Sequence, residues 1–324
     1  MNQVQIYIKE GNFHCDFLSS FPEAVKLITV GDVDKLFTLN GKIVLLSHKD
    51  FADNINAIYA NQSNRYILHM PSEGTSTISS VFDDVKWISS IQRPFIISSG
   101  DFGGKSHINI DRFRNIVGGI NVDTLHTELK TINNIFSNLE KPYAFNLLNG
   151  VRRPHRTKII ENLNNAEVLS RGLWSYLYRG DFLPSKYRFY FEPENFNNGQ
   201  CNDDTWPAGN LYPPIYEDTY FSIVTETNFE IPHSYRTEKI YKPLKIGHPF
   251  IAVSSKGFYR DLHNLGFKTF GSLIDESFDQ IDDNDERMQR ITAVILDLLK
   301  SDLKLFLSAC RDICFYNRQH LTNS

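Results

Sequence analysis

The stretch that most limits the folds open to this chain is Phe221 to Val253, FSIVTETNFEIPHSYRTEKIYKPLKIGHPFIAV. Its start, Tyr220 to Val224, is an apolar run too short for a helix and β-branched enough for a buried strand. A polar segment follows, and then a helix signal. Thr237 is placed to cap the first turn, Ile240, Tyr241 and Leu244 recur at helical spacing, and Gly247 is placed to end the helix. Pro249 to Val253 is a second buried-strand run. Strand, loop, helix and strand in this order make the repeating unit of a parallel α/β sheet. Pro243 removes one backbone bond inside the helix, so a kinked or shortened helix is expected.

In such a unit the loop after the strand and the first helical turn lie at the carboxyl edge of the sheet, where ligands bind. Glu226, Arg236, Glu238 and Lys239 fall there. The open N–H groups of a helix start attract phosphate, Lys239 adds a full charge, and a glutamate beside it can accept both hydroxyls of a ribose. These residues point to a pocket for a nucleotide diphosphate. Taken alone they fit still better a solvated helix in which Glu238 pairs with Lys242, a contact of about 0.3 kcal/mol.

A second turn of the same kind lies upstream. After a predicted strand, Tyr143 to Leu148, comes Asn149-Gly150-Val151-Arg152-Arg153-Pro154-His155-Arg156, then a helix with Ile159, Ile160 and Leu163 on one face. Arginine recognises phosphate with paired donors. One basic turn and one Glu-Lys turn, each opening a helix of the same domain, converge on one edge.

The 324 residues are enough for two domains, and 41% hydrophobic with 22% charged residues describes an ordinary globular protein. A net charge of −4 gives no general attraction to nucleic acid or anionic membrane. No run of 18 apolar residues exists, so no membrane span is expected. Cys15, Cys201, Cys310 and Cys314 are scattered behind no recognisable leader, which points to a reducing, cytoplasmic setting with the last two as core residues.

Before the basic turn, Val4 to Ile8, Val25 to Val30, Lys42 to Leu46, Tyr66 to Met70, Val85 to Ser89 and Phe95 to Ser98 read as strands of one α/β domain. Ala52 to Ala60 is the best helix among them. Two strand-following turns end in a carboxylate and glycine and contain Glu73 and Asp101. At a carboxyl edge either could deprotonate an incoming hydroxyl, although acids and glycines also serve turns for their own sake. Asp32-Val33-Asp34 spells a short metal-site motif but reads better as a helix start. The acidic run Asp275 to Glu286 lacks calcium-loop spacing and reads as a loop and helix start. The boundaries expected are 1–140, 141–285 and 286–324, the last a pair of amphipathic helices packing back on the first domain. Phe258 to Leu265 reads as a further helix and Phe267 to Phe270 as a further strand.

With these motifs in hand, the second half resembles a GT-B glycosyltransferase, closest in pattern to the α-1,3-fucosyltransferase family and related phage and bacterial sugar transferases. The central stretch is similar to that family's strand, Glu-Asn loop and Tyr-x-Thr-Glu-Lys helix start, here Tyr235, Thr237, Glu238 and Lys239, and YAFNLLNGVRRPHRTKIIENL is similar to its strand with Asn and Arg before a helix. The resemblance implies an α/β fold of two Rossmann-like domains facing a cleft. It also implies inverting, metal-independent transfer from a nucleotide sugar, GDP-linked by preference, to a hydroxyl on a glycan, glycolipid, protein or modified DNA. No cofactor beyond that co-substrate is implied. Glu238 and Lys239 would hold ribose and diphosphate, one of Arg152, Arg153 or Arg156 would hold phosphate, and RYILHMPSEGTS points to Glu73 as base. The sequence departs from the family where Thr-Glu-Thr-Asn replaces Glu-Asn-Ser and Gly-His-Pro-Phe-Ile replaces a Pro-Val-Val strand. His-Pro also occurs in CMP-sugar transferases, where histidine meets phosphate, so His248 keeps a CMP donor open. A retaining transferase and a non-catalytic sugar- or nucleotide-binding protein are the other readings.

Overall fold

The computed structural model describes residues 4–10, 25–47, 50, 54–61, 63–70, 95–98, 107–109, 122–150, 152–176, 184, 186, 211–231 and 234–323. The chain divides into two compact units, Met1–Arg112 and Phe113–Ser324. The first holds strands β1 (Val4–Lys9), β2 (Val25–Val30), β3 (Ile43–Ser47), β4 (Arg65–Met70), β5 (Phe95–Ser98) and β6 (His107–Asn109), with helices α1 (Val33–Thr38) and α2 (Ile55–Ala60). All pair in parallel, in the order β2-β1-β3-β4-β5-β6. Leu36, Phe37, Val44, Leu46, Ile58 and Tyr66 form its core. Asp32 caps α1 by accepting from the Asp34 backbone N–H at 3.1 Å, so the Asp-x-Asp serves a helix start. The predicted strand Val85 to Ser89 lies outside the described residues, and β6, three residues long, was too short to leave a periodic signal.

The second unit contains α3 (Val122–Ser137), β7 (Tyr143–Leu148), α4 (Pro154–Asn165), β8 (Leu173–Ser175), α5 (Pro213–Glu217), β9 (Thr219–Thr225), α6 (Glu238–Ile246), β10 (Phe250–Val253), α7 (Phe258–Asn264), α8 (Asn284–Lys300) and α9 (Leu303–Asn323). Its sheet is again parallel, ordered β10-β9-β7-β8. Every residue of β9 is buried, as a central strand covered on both faces requires. Among the described residues no helix is long and apolar enough to cross a membrane.

The unit boundary falls at 112/113 rather than 140/141 because α3 joins the second unit, where its Ile135 belongs to the core. Gly247 shows the same contact from the other side. It closes α6 in the left-handed region, φ 72° and ψ 48°, and a Cβ there would clash with Ile132 Cδ1 of α3. Helices α8 and α9 put Ile295, Leu298, Phe306, Leu307, Cys310 and Cys314 into that same core. Burial raises both thiols, which keeps them protonated and inert. The segment Phe267 to Phe270 is not a strand. Asn317 of α9 takes the place of a strand partner, accepting from the Lys268 N–H at 2.8 Å and donating to the Lys268 carbonyl at 2.7 Å.

Candidate functional site

The order β10-β9-β7-β8 means that the chain leaves β7 in one direction, through α4 to β8, and leaves β9 in the other, through α6 to β10. Helices that depart to opposite sides open a crevice at the carboxyl ends of the two middle strands, the general ligand site of such sheets. The basic turn follows β7 and the Glu-Lys turn follows β9, so the two turns that the sequence singles out flank that crevice. They are bonded together. Thr225 Oγ1 donates to Asn149 Oδ1, the His155 ring Nε2 lies 2.9 Å from the Glu226 carbonyl, and Arg156 Nη2 donates to the same carbonyl at 3.1 Å.

The start of α6 is built in layers. Thr237 caps it, accepting from the Lys239 N–H at 3.4 Å, and its own hydroxyl and N–H donate to the wholly buried carboxylate of Glu226. Glu226 therefore joins the end of β9 to the start of α6 and is sealed from ligand. Burial pushes its carboxyl up, against the charge of Lys239 and the bonds from Thr237. Lys239 folds back over the turn, donating to Glu238 Oε1 at 2.7 Å, Thr237 Oγ1 at 3.2 Å and Thr227 Oγ1 at 3.3 Å. Burial alone would raise the Glu238 carboxyl, but Lys239, with Lys242 behind it, holds it below its ordinary value, so it stays ionised. A ligand phosphate arriving here would compete with Glu238 for Lys239 and leave the carboxylate for hydroxyl groups.

The other candidate residues have different places. Arg236 is fully buried in an ion pair with Asp261 and donates to the Tyr241 hydroxyl at 3.0 Å, which pins the loop to α7. Tyr235 is a core residue. Of the three arginines, Arg156 is buried on backbone carbonyls, whereas Arg153 is half-buried and Arg152 exposed, so these two are the ones open to a ligand. With Pro154, Thr157, Lys158 and Glu161 they line a groove of about 420 Å³ along α4. Glu73 and Asp101 lie outside the described residues.

His248 stands at the opposite, amino edge of the sheet, just before β10. Its Nδ1 lies 2.9 Å from Ser222 Oγ and its Nε2 3.0 Å from the Thr219 carbonyl, so Nε2 carries the proton and Nδ1 accepts. Burial lowers its pKa to about 3, from an ordinary 6.5. A folded value below the unfolded one leaves stability intact above about pH 6.5 and removes it as pH falls towards 3, by about 4 to 5 kcal/mol in full. In His248→Gln that loss is absent. The stability gap between parent and variant, measured by urea unfolding, is expected to shrink from pH 7 to pH 4, and a constant gap would refute this.

Besides Arg153 and Glu238, which the sequence singles out, three residues to which it assigns no ligand contact, Asn149, Asn228 and Ser254, lie after strands of this sheet. Asn149 Nδ2, Arg153 Nε, Asn228 Nδ2, Glu238 Oε2 and Ser254 Oγ are buried with no hydrogen-bond partner among the described residues. Buried polar atoms left unpaired are uncommon and each asks for a reason, ligand or water among them. The signal that could have found Asn149 and Ser254 is position alone, since each is the first residue after a parallel strand. Among the described residues no group of three or more His, Cys, Asp or Glu is placed to hold a metal ion. Comparison with protein-family models, with curated proteins and with solved structures returned no match.

Proposed function

We propose that this chain is a glycosyltransferase of the GT-B type, built of two Rossmann-like domains, that moves a sugar from a nucleotide sugar to a hydroxyl acceptor. The observation that carries the reading is the convergence of Arg153, Glu238 and Lys239 on one strand-order reversal, with Glu238 Oε2 buried and unpaired. Cation and carboxylate side by side suit a diphosphate bonded to a dihydroxy ring. The donor binds the second unit, with Lys239 and Arg153 meeting the charge that grows on the departing diphosphate. The acceptor, a glycan, glycolipid, protein or modified DNA, is served by a carboxylate of the first unit, Glu73 or Asp101, which takes the hydroxyl proton as the oxygen attacks the anomeric carbon. Transfer inverts that carbon and needs no divalent metal. A GDP-sugar is favoured over a CMP-sugar, because His248, on which the CMP reading rests, lies at the amino edge with both ring nitrogens occupied.

Thermal-shift measurements with GDP, UDP and CMP test the donor site. The right nucleotide at 100 times its Kd adds about 2.7 kcal/mol, roughly 5 to 10 °C for a unit of this size. The shift is expected to survive EDTA. No shift from any of the three refutes the donor site, and a shift abolished by EDTA refutes metal independence.

A further inference from the structure

Asn228 and Ser254 are both more than nine-tenths buried, and among the described residues Asn228 Nδ2 and Ser254 Oγ find no partner. Neither is needed by the charged end of the site. Asn228 follows β9 and Ser254 follows β10, whereas the reversal lies between β7 and β9. A ligand anchored at the reversal that also meets Ser254 must continue past its phosphates, across β9 and towards β10.

The two segments are held in place without a ligand. Arg287 of α8, itself buried, donates from Nη2 to the Phe229 carbonyl at 2.6 Å and from Nε to the Ser254 carbonyl at 3.3 Å. Its guanidinium carbon also sits 4.5 Å from the centre of the Phe229 ring, which stacks on His155 at 5.6 Å. One guanidinium therefore fixes the backbone beside both unpaired groups and ties them to the basic turn. Groups set rigidly before binding lose little freedom when a ligand arrives. Their chemistry is neutral: an amide N–H donor, and a hydroxyl that donates or accepts.

Resting on the donor-site reading above, we infer that Asn228 and Ser254 form a neutral subsite that takes an uncharged, hydroxyl-bearing ring esterified to the diphosphate. The ring is either the nucleoside or the glycosyl end of the ligand. Both present hydroxyl or carbonyl groups to such donors.

Calorimetric titration of the parent, Asn228→Ala and Ser254→Ala with inorganic pyrophosphate, GDP, UDP, GDP-fucose and UDP-glucose tests it. Pyrophosphate affinity is expected to stay within about twofold, while each variant weakens the ring-bearing ligand about tenfold, as loss of one hydrogen bond implies. Weakening of the nucleoside diphosphate assigns the subsite to the nucleoside. Weakening of the nucleotide sugar alone assigns it to the glycosyl group. Unchanged affinities for every ligand overturn the subsite and leave the donor site standing, as does an equal loss for pyrophosphate, which marks a structural role. If the parent binds none of the probes, the donor-site reading fails first. Ser254→Ala removes a single unpaired atom, so the melting temperature of the ligand-free protein is expected not to fall, and a fall of several degrees also overturns the subsite.

Discussion

Lys239→Ala is expected to lower kcat by roughly 10² to 10³, the loss that follows removal of one preorganised donor facing a developing charge. In the resting protein the ammonium is held by Glu238 Oε1 and two threonine hydroxyls at the mouth of the turn, so it is ordered before any phosphate arrives. In the proposed transfer, charge on the diphosphate would be greatest as the glycosidic bond breaks, and Lys239 would then contribute more than in the ground state. In the proposed donor site Glu238 would face a ribose that does not react. Its loss removes binding shared by ground and transition states, so Glu238→Ala should chiefly raise the donor KM, by about 1.5 to 3 kcal/mol for hydrogen bonds to a charged group. Because the two side chains bond each other, the variants are not independent, and the double variant should fall short of the summed losses. Donor kinetics for the three variants decide the matter. Unchanged kinetics throughout would leave both residues with no part in the reaction, their bond to each other serving only the helix start.

The strand-helix-strand unit was legible because its signals are local. The apolar run from Tyr220 lies within β9, Thr237 caps α6, and Gly247 ends it for a reason that sequence can show, the positive φ. Pro243 is tolerated because α6 is only nine residues long and the backbone around its end is closed by the His248 N–H donating to the Pro243 carbonyl. What was not legible depends on distant residues. The reversal between β7 and β9 sets residues about 75 positions apart side by side, for example Asn146 against Ser222, and no local pattern encodes it. Arg236 read as a ligand contact because an arginine before a helix start is ambiguous until its partner is known. That partner, Asp261, lies beyond α6 and β10, in α7. Phe267 to Phe270 read as a strand because two phenylalanines in four residues satisfy the pattern whether their backbone pairs with a strand or with Asn317.

Arg236 also sets the largest stability effect expected of a single substitution. The pair with Asp261 is almost wholly shielded from water, with side-chain exposures of 0% and 1%, and Ser234 Oγ donates to the same Asp261 Oδ2 at 2.5 Å. Removing one member of such a pair strands the other charge in a medium that solvates it poorly, at a cost of about 3 to 5 kcal/mol. Arg236→Met is therefore expected to lower the melting temperature by roughly 6 to 20 °C for a unit of about 200 residues. Replacing both members should recover part of that loss, so Arg236→Met with Asp261→Leu should be more stable than Arg236→Met alone, because no uncompensated charge remains. The loop that the pair anchors leads directly into Thr237 and Lys239, so nucleotide affinity should fall in the single variant along with stability. The order of effects is diagnostic. A variant that melts like the parent and loses only nucleotide affinity would show Arg236 reaching the ligand, and the buried-anchor assignment would be wrong.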